Sequence, residues 1–211
     1  MPRPIIVCDH PLLQDKLARL RDRSTSPKAF RRLMTEAGTI LGIEALRSIK
    51  TRRATVKTPL ANAPARLEDE PVAVVAVLRA GLGLVPGLLR VVPHAAIGHI
   101  GLYRNEETLN PVRYYVRLPS KLHRYNVLLC DPMLATGGSA CEAISILKNS
   151  GARKISLLSV IAAKAGVRRV ARQHPDVRVL TAGLDPKLNA EGFIVPGLGD
   201  AGDRLFGTLE E

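Results

Sequence analysis

Beyond Pro71 the chain alternates short, unbroken apolar runs with amphipathic segments, and this alternation restricts the fold more than any other feature. The run VAVVAVL at 72–78 contains no polar residue, as expected of a strand that is buried on both faces. Strands that are separated by helices are typical of a parallel sheet with helices on both faces, so the sequence predicts an α/β fold. The expected strands are 72–78, 95–103, 125–130, 154–162 and 177–183, with helices at 82–92, 138–151 and 165–174.

Three segments lie outside this alternation. Residues 28–49 repeat apolar positions at helical spacing, which predicts a long amphipathic helix before the sheet. The segment 103–124 alternates polar and apolar residues after Pro111, like an exposed hairpin arm, and the tail 185–211 is rich in turns. Because no repeat, low-complexity tract or linker interrupts residues 1–211, we expect a single domain.

The net charge of +12 is concentrated near the N-terminus, where residues 1–66 contain 14 of the 31 Lys and Arg but 5 of the 19 Asp and Glu. A field of this sign attracts phosphates. The basic residues are spaced as on helices, and aromatic side chains that could stack on bases are scarce, which favours a solvated basic surface over a nucleic-acid site. The residues concerned are Arg19, Arg21, Arg23, Arg31, Arg32, Lys50, Arg52 and Arg53.

The expected environment is the cytoplasm. Cys8, Cys130 and Cys141 show no C-x-x-C spacing and are three in number, which favours reduced thiols over a disulfide framework. The N-terminus lacks the basic and apolar regions of a signal peptide, and Arg79 interrupts the most apolar run before it reaches the length of a membrane span. We therefore expect a soluble protein without a membrane partner.

Residues 127–147 contain the most specific motif. An apolar strand leads into Asp131, and Thr136-Gly137-Gly138-Ser139 then begins a helix. Adjacent glycines allow backbone N–H groups to converge on an anion, and the helix N-terminus adds partial positive charge. The lysine of a P-loop is missing. A carboxylate so near a phosphate site makes chemical sense if it binds the hydroxyls of a sugar phosphate; the alternative is an Asp that caps a turn at the strand end.

The tail also contains a G-x-G-x-x-G pattern, formed by Gly197, Gly199 and Gly202. A dinucleotide-binding loop must follow a strand and open a βαβ unit of about 30 residues. Nine residues follow Gly202, too few for a helix and a second strand, so these glycines need another function.

Four segments in chain order resemble the signatures of type I phosphoribosyltransferases, and in particular of the uracil phosphoribosyltransferase branch: LRAGLG (78–83), GLYRNEETLNPV (101–112), CDPMLATGGS (130–139) and IVPGLGDAGDRLFGT (194–208). The likeness extends from about residue 7 to residue 208. It implies a salvage reaction in which uracil and 5-phospho-α-D-ribose 1-diphosphate (PRPP) give UMP and diphosphate.

The resemblance also implies site residues. Arg79, Asp131 and Asp200 are the implied catalytic residues: Arg79 and Arg104 would bind the diphosphate, Asp131 the ribose hydroxyls, and Asp200 would lie between base, ribose and diphosphate. The tail would form a hood over uracil, which the backbones of Ile194, Gly199 and Ala201, with Asp200, would bind. The PRPP set is Arg79, Arg104, Asp131, Pro132, Met133, Leu134, Ala135, Thr136, Gly137, Gly138, Ser139 and Asp200.

Further implications concern cofactor, assembly and backbone. Mg²⁺ would arrive with PRPP, near Asp200, without direct protein ligands of its own. The family likeness also implies a homodimer or higher homo-oligomer, a GTP effector and a cis peptide bond at Arg79–Ala80. Three positions depart from the usual pattern: Phe193 where tyrosine is common, Lys164-Ala165 where Pro-Glu is frequent, and Ile43 where an aromatic residue is usual.

Two rival functions stay open at this point. An RNA-binding regulator of pyrimidine operons on the same scaffold would explain the basic N-terminal third, although such regulators carry two consecutive acids where this chain has Asp131-Pro132. A related enzyme that acts on a purine is the second rival, and the tail motif argues against it.

Overall fold

The computed structural model describes residues 5–104 and 111–208. The helices are α1 (Pro11–Arg21), α2 (Pro27–Ala45), α3 (Val85–Val91), α4 (Gly138–Asn149), α5 (Lys164–Gln173) and α6 (Ala201–Phe206). The strands are β1 (Ile6–Val7), β2 (Thr51–Lys57), β3 (Asn62–Glu68), β4 (Val72–Leu78), β5 (Ala96–Arg104), β6 (Pro111–Arg117), β7 (Asn126–Cys130), β8 (Met133–Leu134), β9 (Lys154–Ala163), β10 (Arg178–Asp185), β11 (Lys187–Leu188) and β12 (Ile194–Val195).

The central sheet has the strand order β1-β10-β9-β7-β4-β5-β6, and the short β8 pairs with β9. All pairs in it are parallel except β5 with β6. The predicted α/β fold is therefore confirmed, and each of the five expected strands is present within two residues of its expected ends. The long helix ends at Ala45, earlier than the predicted residue 49.

Strand β4 shows why the apolar runs are continuous. Val74 belongs to a core that β4 shares with α1, α2 and α3, whereas its neighbour Val75 belongs to a second core shared with α4 and α5. Side chains alternate between the two faces of a strand, and here both faces are covered by helices. Every position of β4 from 72 to 77 is consequently buried.

The predicted arm at 103–124 is partly confirmed. β6 pairs antiparallel with β5, so the hairpin extends the central sheet as an edge strand, and its tip at 105–110 lies outside the described residues. A hairpin that the sequence did not predict, β2 with β3, forms a separate two-stranded sheet of mostly exposed residues. Arg52 and Arg53 lie in β2, so the helical spacing assigned to them is wrong.

The tail is more regular than its turn-rich sequence indicates. β11 pairs antiparallel with β12, and α6 follows with Asp200 as its N-cap. Gly202 therefore lies in a helix of six residues, but no strand follows it in the described part of the tail, which ends at 208. The G-x-G-x-x-G pattern does not open a βαβ unit.

Candidate functional site

An open cavity of about 420 Å³ lies at the carboxyl ends of β4 and β7. Three segments that are far apart in the sequence meet there: the turn after β4, the loop between β7 and α4, and the tail. The carboxyl edge of a parallel sheet is where ligands bind in open α/β folds. The lining includes Arg79, Ala80, Asp131, Met133, Leu134, Ala135, Thr136, Gly137, Gly138, Ser139, Phe193, Ile194, Gly199, Asp200, Ala201 and Gly202.

Asp131 follows β7 directly and faces this cavity from a half-buried position. Burial raises the pKa of its carboxyl to about 7, and a hydrogen bond from the Met133 backbone N–H opposes this rise. Its own backbone is held by β9, since its N–H donates to Leu158 O (3.1 Å) and its carbonyl accepts the Ser159 hydroxyl (2.6 Å). The strand end thus fixes a carboxylate that is costly to ionise without a ligand.

The phosphate cradle, which we define as residues 135–139, begins α4 as predicted. Gly137 is the N-cap of this twelve-residue helix and has φ +80°, a left-handed conformation that favours glycine. The Gly138 N–H points towards Thr136 Oγ1, 3.5 Å away. These backbone N–H groups and hydroxyls surround one end of the cavity without a lysine, which suits a phosphate that is bound by neutral donors.

Helix α5 packs closely against this cradle. A Cβ atom on Gly166 would lie 2.5 Å from Ala135 O and 2.8 Å from Leu134 O, so only glycine permits this approach. The next turn of α5 places Arg169 Nη1 3.5 Å from the position that a Cβ of Gly138 would take. Sequence reasoning missed Arg169, because nothing in the local sequence shows that α5 and the cradle are neighbours.

Arg79 lies in the turn after β4. The peptide bond before it, Leu78–Arg79, is cis, which corrects the cis bond expected one residue later at Arg79–Ala80. Arg79 Nη2 donates to Asp203 Oδ1 at 2.9 Å, and its guanidinium lies 5.7 Å from the Phe206 ring centroid. The turn stays close to β7 because a Cβ on Gly81 would lie 2.4 Å from Cys130 O.

The tail forms the opposite wall. Its turn contains a cis Val195–Pro196 bond and two left-handed glycines, Gly197 (φ +62°) and Gly199 (φ +77°). Asp200 Oδ1 accepts the Asp203 N–H at 2.9 Å, which caps α6. Glycine spacing in this tail therefore shapes a turn whose backbone faces the cavity.

The remaining expected residues are placed as follows. Pro132 is buried, outside the cavity lining, and its carbonyl accepts the Val160 and Ile161 N–H groups at 3.0 Å, so it supports the loop. Arg104 ends β5, and its side chain lies outside the described residues. Phe193 is at the cavity rim, and Ile43 is exposed on α2.

The family model for uracil phosphoribosyltransferase matches residues 7–208. The chain belongs to the uracil phosphoribosyltransferase family. It is similar to the uracil phosphoribosyltransferases of Thermus thermophilus (51% identity over 97% of this chain and 99% of the relative) and of Halalkalibacterium halodurans (51%, over 97% and 98%).

Solved structures agree with this family membership at the level of fold. A protein structure from Aquifex aeolicus matches with a TM-score of 0.93 and 37% identity, covering 99% of this chain and all of the other. A hypoxanthine-guanine phosphoribosyltransferase from Bacillus anthracis matches with a TM-score of 0.51 at 12% identity, covering 89% and 85%. The second match concerns the fold alone.

Among the described residues, no group of three or more His, Cys, Asp or Glu side chains could hold a metal ion. None of the helices described is long and apolar enough to cross a membrane. For a uracil phosphoribosyltransferase family member, the cavity offers a carboxylate oxygen at Asp200, a ligand type that suits Mg²⁺.

Proposed function

We propose that this chain transfers the 5-phosphoribosyl group of PRPP to uracil, giving UMP and diphosphate. The observation that carries this proposal is the single cavity in which Asp131, the phosphate cradle and the tail turn meet.

The ribose phosphate would occupy the β7–α4 side. The N–H groups and hydroxyls of the phosphate cradle would bind the 5′-phosphate, and Asp131 would accept hydrogen bonds from the two ribose hydroxyls. Breaking the C1–O bond leaves positive charge on the ribose ring, which the Asp131 carboxylate would stabilise electrostatically. The pKa of this carboxyl is about 7 in the free protein. Hydrogen bonds from the substrate hydroxyls and the developing positive charge would lower this pKa and so favour the ionised form.

The diphosphate would lie beside the turn after β4. Arg79 suits this role because a guanidinium binds phosphate oxygens in pairs and stays charged. Its side chain is 55% exposed and that of its partner Asp203 is 32% exposed, so solvent reaches the ion pair and a phosphate could replace the carboxylate. Arg104 is the second proposed partner. Mg²⁺, when bound with PRPP, would neutralise charge on the departing diphosphate, and it would lie near Asp200, which lines the cavity.

Uracil would bind against the tail. Its O4, N3–H and O2 present acceptor, donor and acceptor, which the backbones of Ile194, Gly199 and Ala201 would match. Cytosine reverses the first two groups, so fixed backbone groups would meet it donor to donor and acceptor to acceptor. Each unpaired buried group costs about 1–3 kcal/mol, which is sufficient for selection between the two bases.

The direct test is UMP formation from uracil and PRPP with Mg²⁺, with adenine, guanine and hypoxanthine as competing bases. Asp131→Ala should lower turnover by orders of magnitude while the fold survives. Preference for a purine would support the rival enzyme. RNA binding tighter than micromolar that weakens steeply with salt would support the regulator.

The basic N-terminal third gives that regulator little support. Arg21 forms an ion pair with Asp185 and is only 26% exposed, so the expected solvated surface is wrong for this residue, whereas Arg31 is exposed as expected and also donates to Leu205 O at 2.8 Å. They serve contacts within the protein. Steering of PRPP by the other basic residues remains part of the proposal, and rates that do not fall with salt would remove it.

On the family likeness we also propose that the chain is a single domain and that the protein is cytoplasmic. The same likeness supports a homo-oligomer that is regulated by GTP. Sedimentation at assay concentration tests the assembly. A GTP titration at subsaturating PRPP tests the effector, and unchanged rates would exclude it.

A further inference from the structure

The turn 196–199, here called the base loop, is held by an ion pair between distant parts of the chain. Arg21, in the last turn of α1, donates to both carboxylate oxygens of Asp185 at 2.7 and 2.8 Å and to Gly197 O at 2.9 Å. Asp185, which ends β10 and is 5% exposed, also accepts the Gly197 N–H at 2.8 Å. Both backbone polar groups of Gly197 are therefore bonded to this ion pair.

A second arginine holds the next residue. Arg204, in α6, donates to Leu198 O at 2.8 Å and also to Leu20 O and Asp22 O at the end of α1. These helix-end carbonyls lack partners within the helix. Its guanidinium stacks 4.5 Å from the Phe30 ring centroid and is buried. Arg204 thus ties the base loop to the same helix end that supplies Arg21.

The electrostatics of the ion pair show that it is a strong constraint. Burial opposes ionisation of Asp185, but hydrogen bonds from Arg21 and the Gly197 N–H outweigh it and lower the pKa of that carboxyl. Breaking a buried pair of this kind leaves an uncompensated charge, which is costly. The ion pair and its bonds to Gly197 thus hold the loop in its observed conformation without a ligand.

The position of these bonds relative to the cavity gives them a consequence for binding. Ile194 and Gly199 line the cavity, whereas Gly197 and Leu198, between them in sequence, are not part of its lining. The arginines therefore bond to loop residues outside the lining, and these bonds constrain the neighbouring peptide groups that line the cavity. Because uracil and cytosine differ only in donor and acceptor order, a small rotation of those groups changes the selectivity.

We propose that Arg21, Asp185 and Arg204 are positioning residues that determine which base this site accepts, without touching the substrate. The inference rests on the proposed function, since it requires the base to bind at the tail.

The experiment compares Arg21→Lys, Asp185→Asn and Arg204→Lys with the wild type. Lysine keeps the charge but cannot reproduce the fork of three bonds. We expect KM for uracil to rise by about tenfold, which corresponds to one hydrogen bond to a charged group, while KM for PRPP changes less than about twofold. The ratio of kcat/KM for cytosine to that for uracil should also rise.

The control variant is Arg19→Lys. Arg19 lies on the same helix and pairs with Asp15, but its side chain is 63% exposed, so its replacement should leave all constants unchanged. The double variant Arg21→Lys/Asp185→Asn should raise KM for uracil by less than the product of the two single effects, since the two residues share an ion pair although each also bonds to Gly197.

Thermal unfolding of each variant separates loop positioning from general stability. Equal rises in KM for uracil and for PRPP, or a lower melting temperature with unchanged constants and base selectivity, would overturn the inference. Arg204→Lys provides the same test if the Arg21 variant does not fold, because it acts on Leu198 from another helix. If the wild type makes no UMP from uracil, the proposed function fails, and the inference fails with it.

Discussion

Replacing Asp131 by Asn should stabilise the ligand-free protein relative to the wild type, by an amount that grows as the pH rises, although the substitution removes activity. Burial raises the pKa of this carboxyl from 3.8 to about 7, so the folded protein binds this proton more tightly than the unfolded chain does. The wild type therefore loses stability as the pH rises from about 4 to about 7, and the Asn variant lacks this loss. Between pH 5 and pH 7 the difference amounts to at most about 3 kcal/mol, at 1.36 kcal/mol per pH unit.

Asp131 is half-buried, and solvent screening reduces this limit, so we expect a gain of about 1–2 kcal/mol for the variant relative to the wild type between pH 5 and pH 8. Thermal unfolding of both proteins at a series of pH values, without ligand, measures it as a few degrees of melting temperature. Other carboxyl groups titrate in both proteins alike and cancel in the difference.

Activity and ligand binding complete the test. UMP formation by the Asn variant should fall by orders of magnitude, and PRPP with Mg²⁺ should raise its melting temperature much less than that of the wild type. A stability difference that stays constant or narrows as the pH rises would refute the reasoning. Asp131 would then be an ordinary capping carboxylate at a strand end.

Three further substitutions test other parts of the site. Arg79→Ala should lower kcat/KM by at least about a hundredfold, because it removes a charged hydrogen-bond donor from the diphosphate. The control Arg90→Ala, at an exposed position of α3, should leave kcat/KM unchanged. A wild-type rate in the Arg79 variant would exclude the role assigned to Arg79. Arg169→Gln should raise KM for PRPP about threefold to tenfold without changing KM for uracil, because the guanidinium lies beside the cradle; equal changes in both would contradict this. Gly166→Ala should lower the melting temperature and raise KM for PRPP, since its Cβ would lie 2.5 Å from Ala135 O, and unchanged values would show that α5 can move away.

The sequence predicted the central sheet because burial on both faces leaves a local signal. In β4 neighbouring residues face two different cores, and no position can be polar without cost. The phosphate cradle was also predictable, because its residues are consecutive in the sequence and lead directly into α4 through the N-cap Gly137. The hairpin of β2 and β3 was missed, because both of its faces are mostly exposed and need no apolar alternation.

The roles of residues that act through distant partners could not be predicted from the sequence. Arg21 resembles any exposed helical arginine until β10 places Asp185 within 2.7 Å, across 164 positions of sequence. Arg204 and Arg169 were missed for the same reason. The cis bond was predicted for the correct turn but one residue late, since local sequence indicates a tight turn after β4 without fixing which peptide bond it contains.

The base loop has a consequence for the order in which this protein becomes functional during synthesis. The cradle comes from residues that are neighbours in the chain, but the loop depends on Arg204 reaching Leu20, 184 positions away. Contacts of such separation form late, and the segment that makes them is synthesised after the other parts of the pocket. Under the proposed function, a truncated polypeptide that lacks residues 192–211 would keep the side of the pocket assigned to the ribose phosphate without the side assigned to uracil, and could sequester PRPP but not consume it.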